Sequence, residues 1–201
     1  MEYNKALSQI SEIHAQLAKG EIYRGFRSLP VALSGLAGFV AAAVAPRLGA
    51  TNSFASSTSY WLVAGVICGL IGFSETAIHY VRYEDALARR RSRKVLGQFV
   101  PGLAAGLGIT WCLMRRGELL LPFLPGLWSV MFGLAIFSAR PYLPRASGWI
   151  ALWYLAMGLL WLTLPPADPW RSGWIVAATF GVGQLGAALV LFWNIERAEN
   201  V

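Results

Sequence analysis

The chain has 201 residues, 56% of them hydrophobic and only 13% charged, with a mean hydropathy of +0.52 and a net charge of +7. A water-soluble domain of this size carries about 25% charged residues, so the composition argues against that class. Six apolar runs instead divide the sequence, each close to the roughly 20 residues that cross a ~30 Å hydrocarbon core as a helix.

The expected fold is therefore all-α: a polytopic transmembrane bundle of six helices with both termini in the cytoplasm and a short amphipathic helix at the N-terminus. Three regions follow, a cytoplasmic leader over residues 1–28, a membrane domain over 29–194 and a cytoplasmic tail over 195–201. In the leader, Leu7, Ile10, Ile13 and Leu17 recur at helical spacing. This stripe reads as a helix lying on the membrane or on the inner face of the bundle. It also suits docking of a cytoplasmic protein partner or a second copy of the chain. Gly20 ends the pattern, and Tyr23, Arg24, Phe26 and Arg27 anchor the chain before Pro30 opens the first span, Leu29–Ala45. Ala43-Val44-Ala45 has the small residues of a signal-peptide cleavage site, but a mixed-charge leader this long is no signal n-region, and Pro46 would follow the cut.

The second span, Tyr60–Tyr80, holds Glu75, the only Asp, Glu, Lys or Arg in the six runs. Trp61, Gly65, Cys68, Gly72, Glu75, His79 and Arg82 follow alternating spacings of three and four, which places them on one helix face. The outer half of that face is small, with Gly65-xxx-Gly69 suited to close backbone approach. Its inner half is ionisable, and a charge inside a bilayer costs about 2.5–3.5 kcal/mol even on insertion scales. The face is therefore expected to point into the bundle. Glu75, His79 and Arg82 form a ladder one turn apart, with Gln98 of the next span within possible reach. The set reads as a polar network fixing helix register or as a proton or substrate relay. A metal site would need a third ligand that the sequence does not offer, and no cofactor motif is present.

The loop after this span contains Arg89, Arg90, Arg91, Arg93 and Lys94, a cluster that attracts acidic lipid headgroups or an acidic partner. Asp85, four residues before Arg89, suggests that the second span continues into the cytoplasm as helix. The third span, Val95–Met114, has a second close-packing motif, Gly102-xxx-Gly106, and a proline, Pro101, expected near its end. Leu119–Ala139 and Trp149–Leu164 follow, the latter the shortest run, and Trp174–Trp193 completes the set. Trp61, Trp111, Trp161, Trp170 and Trp174 are expected at the outer interface, Trp149 and Trp193 at the inner one, and Trp128 and Trp153 in the packing. Cys68 and Cys112 show no disulfide or metal spacing and read as small packing residues.

Leu29-Pro30, Ser34 and Gly38 of the first span match Leu124-Pro125, Ser129 and Gly133 of the fourth, and Gly97-Gln98 of the third matches Gly183-Gln184 of the sixth. A true repeat here would be inverted. The two glutamines sit at different depths, however, and coincidence in a Gly/Leu/Trp-rich alphabet is the simpler account.

Orientation follows from charge. Lys5, Lys19, Arg24, Arg27, Arg82, Arg89, Arg90, Arg91, Arg93, Lys94, Arg140, Arg145 and Arg197 fall on one side, against Arg47, Arg115, Arg116 and Arg171 on the other. The positive-inside rule makes the first side cytoplasmic, as in a bacterial inner membrane. Topology accounts for the positive charge, so no nucleic-acid partner is implied. The expectation for function is a non-catalytic membrane protein that binds, senses or assembles at the cytoplasmic face, with possible homo-oligomerisation. The alternative is a small proton- or ion-linked transporter using Glu75 and His79. No catalytic set accompanies Glu75, so an enzyme is not expected.

Overall fold

A computed structural model describes residues 26–82 and 86–197; within them, the side chains of residues 76, 79–82, 86–88 and 90–91 fall outside the description. The amphipathic leader helix expected at residues 7–17 also lies outside the described residues. The protein is all-helical. Among the described residues the helices are six: α1 (Ser28–Val44), α2 (Phe54–Arg82), α3 (Ala86–Met114), α4 (Leu124–Ala139), α5 (Ser147–Thr163) and α6 (Pro169–Leu191). Five helical segments are long and apolar enough to cross a membrane, while α5, with 17 residues, is apolar but shorter. Large apolar side chains ring the outside, Leu29, Val63, Leu70, Leu107 and Leu189 each being more than half exposed. Such a belt would be untenable in water and is what a lipid solvent requires. The protein is an integral membrane protein.

Local chemistry sets the helix ends. Pro30, Pro125 and Pro169 lie in the first turns of α1, α4 and α6, where a missing N–H costs nothing. Asp168 caps α6, its carboxylate accepting the Arg171 N–H at 3.0 Å. At φ +68°, Gly49 turns the chain out of the tight 3-10 turn that closes α1.

Several boundaries differ from the expected spans. α3 is described from Ala86, so the basic cluster lies on helix ahead of the apolar run that starts at Val95; residues 83–85, over which the second span was expected to continue, lie outside the described residues. This longer α3 leaves Pro101 in its interior, not near an end, where it cannot donate to the Gly97 carbonyl. The segment Glu118–Phe123 is a 3-10 turn holding Pro122, and α4 proper starts only at Leu124. The last helix closes with a wide turn over Phe192–Glu196.

The helices follow chain order around the bundle. α1 packs on α2 and α6, α4 packs on α3 and α5, and of the pairs adjacent around the ring α2–α3 and α5–α6 meet least extensively among the described residues. Glycines permit the closest crossings. A Cβ on Gly158 of α5 would fall 2.8 Å from the Gly126 carbonyl oxygen of α4, and one on Gly126 would fall 2.9 Å from the Gly158 carbonyl oxygen. One on Gly102 would meet Ala135 at 2.8 Å, but Gly65 and Gly69 face open space. The outer half of the α2 face is thus not a close-packing seam, contrary to expectation.

The main core gathers Phe26, Val95, Phe99, Ile136, Tyr154, Leu191 and Ile195. Tyr154 is fully buried, stacked edge-on against Phe132, with its hydroxyl donating to the Phe180 carbonyl at 3.3 Å. Buried hydroxyls find acceptors within the bundle. Ser129 donates to the Tyr154 carbonyl at 2.6 Å and Thr110 to Gly106 at 2.7 Å. Among the described residues no buried side-chain nitrogen or oxygen lacks a hydrogen bond, as a low-dielectric solvent demands. Trp128 and Trp153 are packed and donate to Thr110 and to the Thr179 carbonyl, as expected of them. Trp61 is buried in a second core cluster with Ala42 and Val176, and Cys112 is exposed and does not pack.

Candidate functional site

α1 and α2 are joined by a short connection and lie side by side, so the start of α1 meets the far end of α2. The turn entering α1 carries three side chains in a row, Phe26, Arg27 and Ser28, and each finds a different partner. Phe26 is buried and stands edge-on between Phe73 of α2, at 5.6 Å between ring centroids, and Phe99 of α3, at 6.3 Å. This aromatic triangle ties the chain entering α1 to both α2 and α3.

Arg27 reaches Glu75, its Nε lying 3.9 Å from the carboxylate. Glu75 is the one charged residue of the apolar runs, and a cation from the chain entering α1 answers it. The pair is partly open, the side chains being 31% and 39% exposed. A pair of this kind contributes at most about 1 kcal/mol.

Ser28 is held by Glu196. The carboxylate accepts the Ser28 N–H on one oxygen and the Ser28 hydroxyl on the other, both at 2.7 Å. Arg27 occupies the cap position of α1 but offers no side-chain acceptor, so Glu196 supplies the cap from the opposite end of the sequence. Its charge also opposes the positive end of the α1 dipole. Ile195, buried beside it, fixes the closing turn of the last helix in the core.

The remaining sequence-derived site residues are distributed as follows. Gln98 is exposed on α3, not turned into the bundle beside Glu75. His79 and Arg82 lie on the last turns of α2, and the positions of their side chains fall outside the described residues, as do those of Arg90 and Arg91. Arg89, Arg93 and Lys94 are exposed on the first turns of α3, at the same end of the bundle as Arg27 and Glu75. Among the described residues no three of His, Cys, Asp and Glu are grouped to hold a metal ion.

Ser28 and Glu196 were not singled out from sequence, and Arg27 was read as an interfacial anchor. The Arg27–Glu75 pairing has a sequence signal. The 17 residues of α1 rise about 25 Å, a length that from Phe54 reaches within about a turn of Glu75. The Glu196 cap has no such signal, because it depends on which helix neighbours α1.

At the opposite end, a cleft of about 220 Å³ opens between the starts of α4 and α6 and the end of α5, walled by Phe123, Trp161, Pro166, Ser172 and Ile175 among others. Trp161 donates to the Thr179 hydroxyl at 3.0 Å, which holds its ring at the cleft wall.

In comparisons with protein-family models, curated proteins and solved structures, nothing matches this chain.

Proposed function

We propose that this chain is a non-catalytic, six-span protein of a bacterial inner membrane, with both termini cytoplasmic, that binds an acidic partner or assembles at its cytoplasmic face. The reading rests on the use made of the polar groups at the start of α1. Glu75 is answered by Arg27 and Glu196 is engaged as a helix cap, so both carboxylates tie helices together. The exposed cations Arg89, Arg93 and Lys94 stand at that same end. A cationic patch at the membrane surface attracts anionic headgroups or acidic protein at about 1 kcal/mol per residue.

The Ser28–Glu196 contact supports the six-span topology. Residues in hydrogen-bond contact lie on one side of the membrane, which requires an even number of crossings between them. With α1, α2, α3, α4 and α6 crossing, the shorter α5 must cross too, thinning the bilayer locally or standing nearly upright.

Native mass spectrometry of the gently solubilised protein tests the binding reading. The unaltered chain is expected to retain phosphatidylglycerol or an acidic protein, and the R89Q/R93Q/K94Q variant at least half less at equal helix content. Equal retention by both would remove the proposal.

Transport is the second reading, and one observation favours it. At 3.9 Å from Arg27 Nε, Glu75 is beyond hydrogen-bond distance of that atom and partly open, as a carboxylate that exchanges a proton or a cation would be. Under this reading Glu75→Gln stops gradient-driven uptake into vesicles while leaving the bundle assembled; unchanged flux discards it.

A further inference from the structure

We infer that the six helices are two inverted three-helix units, α1–α3 and α4–α6, and that the outer cleft of the second unit is a binding site for a planar aromatic group, matching the inner site that Phe26 fills in the first.

The neighbour pattern carries the first step. α1 packs on α2 and α6; shifting every helix by three turns this into α4 packing on α5 and α3, which is what is found. Of the six seams around the ring, the two slackest among the described residues, α2–α3 and α5–α6, also exchange under that shift. Leu29-Pro30 and Leu124-Pro125 both open their helices, and Ser34 and Ser129, then Gly38 and Gly133, are buried at the same distances beyond. Sequence coincidence does not explain matched neighbours as well as matched residues. Consecutive helices on short connections alternate in direction, so units of three are related by inversion, an arrangement that recurs in membrane proteins.

Matching the units in this way pairs the two ends of the bundle. Phe73 stands two residues before Glu75, where the apolar part of α2 ends, and Trp161 stands two residues before Thr163, where α5 ends. Phe99 lies seven residues into the apolar part of α3, which begins at Ser92, and Ile175 six residues into α6. In the first unit Phe26, buried in the turn before α1, fills the space between these walls. Its counterpart before α4 is Leu121, also buried, but Leu121 turns instead toward Trp61, Ser172 and Val176. The space beside Trp161 is left as the cleft. Its walls are an indole, a phenyl ring, prolines and aliphatic carbon, with the Ser172 hydroxyl at the edge and no charged side chain. At about 220 Å³ it exceeds the roughly 150 Å³ apolar cavity that accepts benzene in an engineered protein.

The probe is 5-fluoroindole, followed by fluorine NMR with the full chain in lipid nanodiscs and empty nanodiscs as the baseline for partition. One saturable site per chain is expected. Ala167→Trp, which fills the cleft from its rim, should abolish the site, and Leu189→Trp on the exposed face of α6 should leave it. Phe26→Ala, with its folding checked by helix content, should open the equivalent inner site and raise the stoichiometry to two. Binding no greater than partition, as when lipid acyl chains occupy the cleft, would overturn the site. Binding that survives Ala167→Trp would do the same. A stoichiometry that stays at one in a folded Phe26 variant would overturn the correspondence between the units.

Discussion

Glu196 holds an unusual place among the charged residues, because both of its carboxylate oxygens are engaged by a serine 168 positions away in the chain. Removing the carboxylate leaves the Ser28 N–H without its acceptor at a partly buried helix start, which costs about 1–3 kcal/mol. Glu196→Ala is therefore expected to destabilise the protein by that amount and to free the closing turn of the last helix for proteolysis. Glu196→Gln, keeping one acceptor oxygen, should lose about half as much. Thermal unfolding in a fixed detergent, together with the trypsin cleavage rate at Arg197, measures both; identical curves for all three proteins would show the cap to be without weight. Glu75→Gln, which breaks the pair with Arg27, should cost less, under about 1 kcal/mol, since that pair is long and open. Residue chemistry was only half legible beforehand. Glu75 stood out because an ionisable group in an apolar run is expensive wherever it lies, and the expense guarantees a partner. Glu196 did not, because a carboxylate just past the last apolar run has water available, and only the adjacency of α1 and α6 gives it a task.

At the level of elements, the sequence shows where helices are and not which faces meet. The apolar runs located the six described helices, since hydrophobic length is a local property. Their ends shifted where polar residues continue the helix, as at Ala86, or where Pro122 tightens the chain into a 3-10 turn. The close crossings were harder to read. Gly65-xxx-Gly69 has the spacing of a packing motif yet faces open space, while Gly126 and Gly158 belong to different helices and form the tightest reciprocal pair. Spacing within one helix cannot disclose a pairing between two. The contrast is open to measurement. A Cβ on Gly158 would meet Val130 Cγ2 at 2.7 Å and the Gly126 backbone at 2.8 Å, and backbone cannot give way cheaply. Gly158→Ala should force α4 and α5 apart and cost on the order of 1–3 kcal/mol, the usual range for overpacking. Gly65→Ala and Gly69→Ala should be neutral or stabilise by up to about 1 kcal/mol through helix propensity. Unfolding midpoints of the three variants decide the matter, and a Gly158→Ala protein as stable as the parent would mean that the crossing is looser than it stands.

On the scale of the whole molecule, the arginines and the contacts make one demand. The orientation proposed from the positive-inside count would put Arg145 and Arg197 with Arg27 in the cytoplasm and Arg116 and Arg171 outside. The α5 run is the weak point of that count, because its 17 residues rise only about 25 Å against a ~30 Å core. Were α5 to lie at one surface, everything after it would change sides. Glu196 would then sit a membrane's thickness from Ser28, and Trp61 would be parted from Gly173, whose missing Cβ leaves room for the indole at 3.2 Å. Both contacts span from the first helices to the last, one at each end of the bundle, so they fail together or stand together. Cysteine labelling separates the cases. In a background with Cys68→Ala and Cys112→Ala, Arg116→Cys and Arg171→Cys should react with a membrane-impermeant maleimide added to intact cells. Arg145→Cys and Arg197→Cys should react only after the membrane is opened. Labelling of Arg197→Cys from outside, with Arg171→Cys protected, would mean that α5 does not cross and would break the Ser28–Glu196 cap at the same stroke.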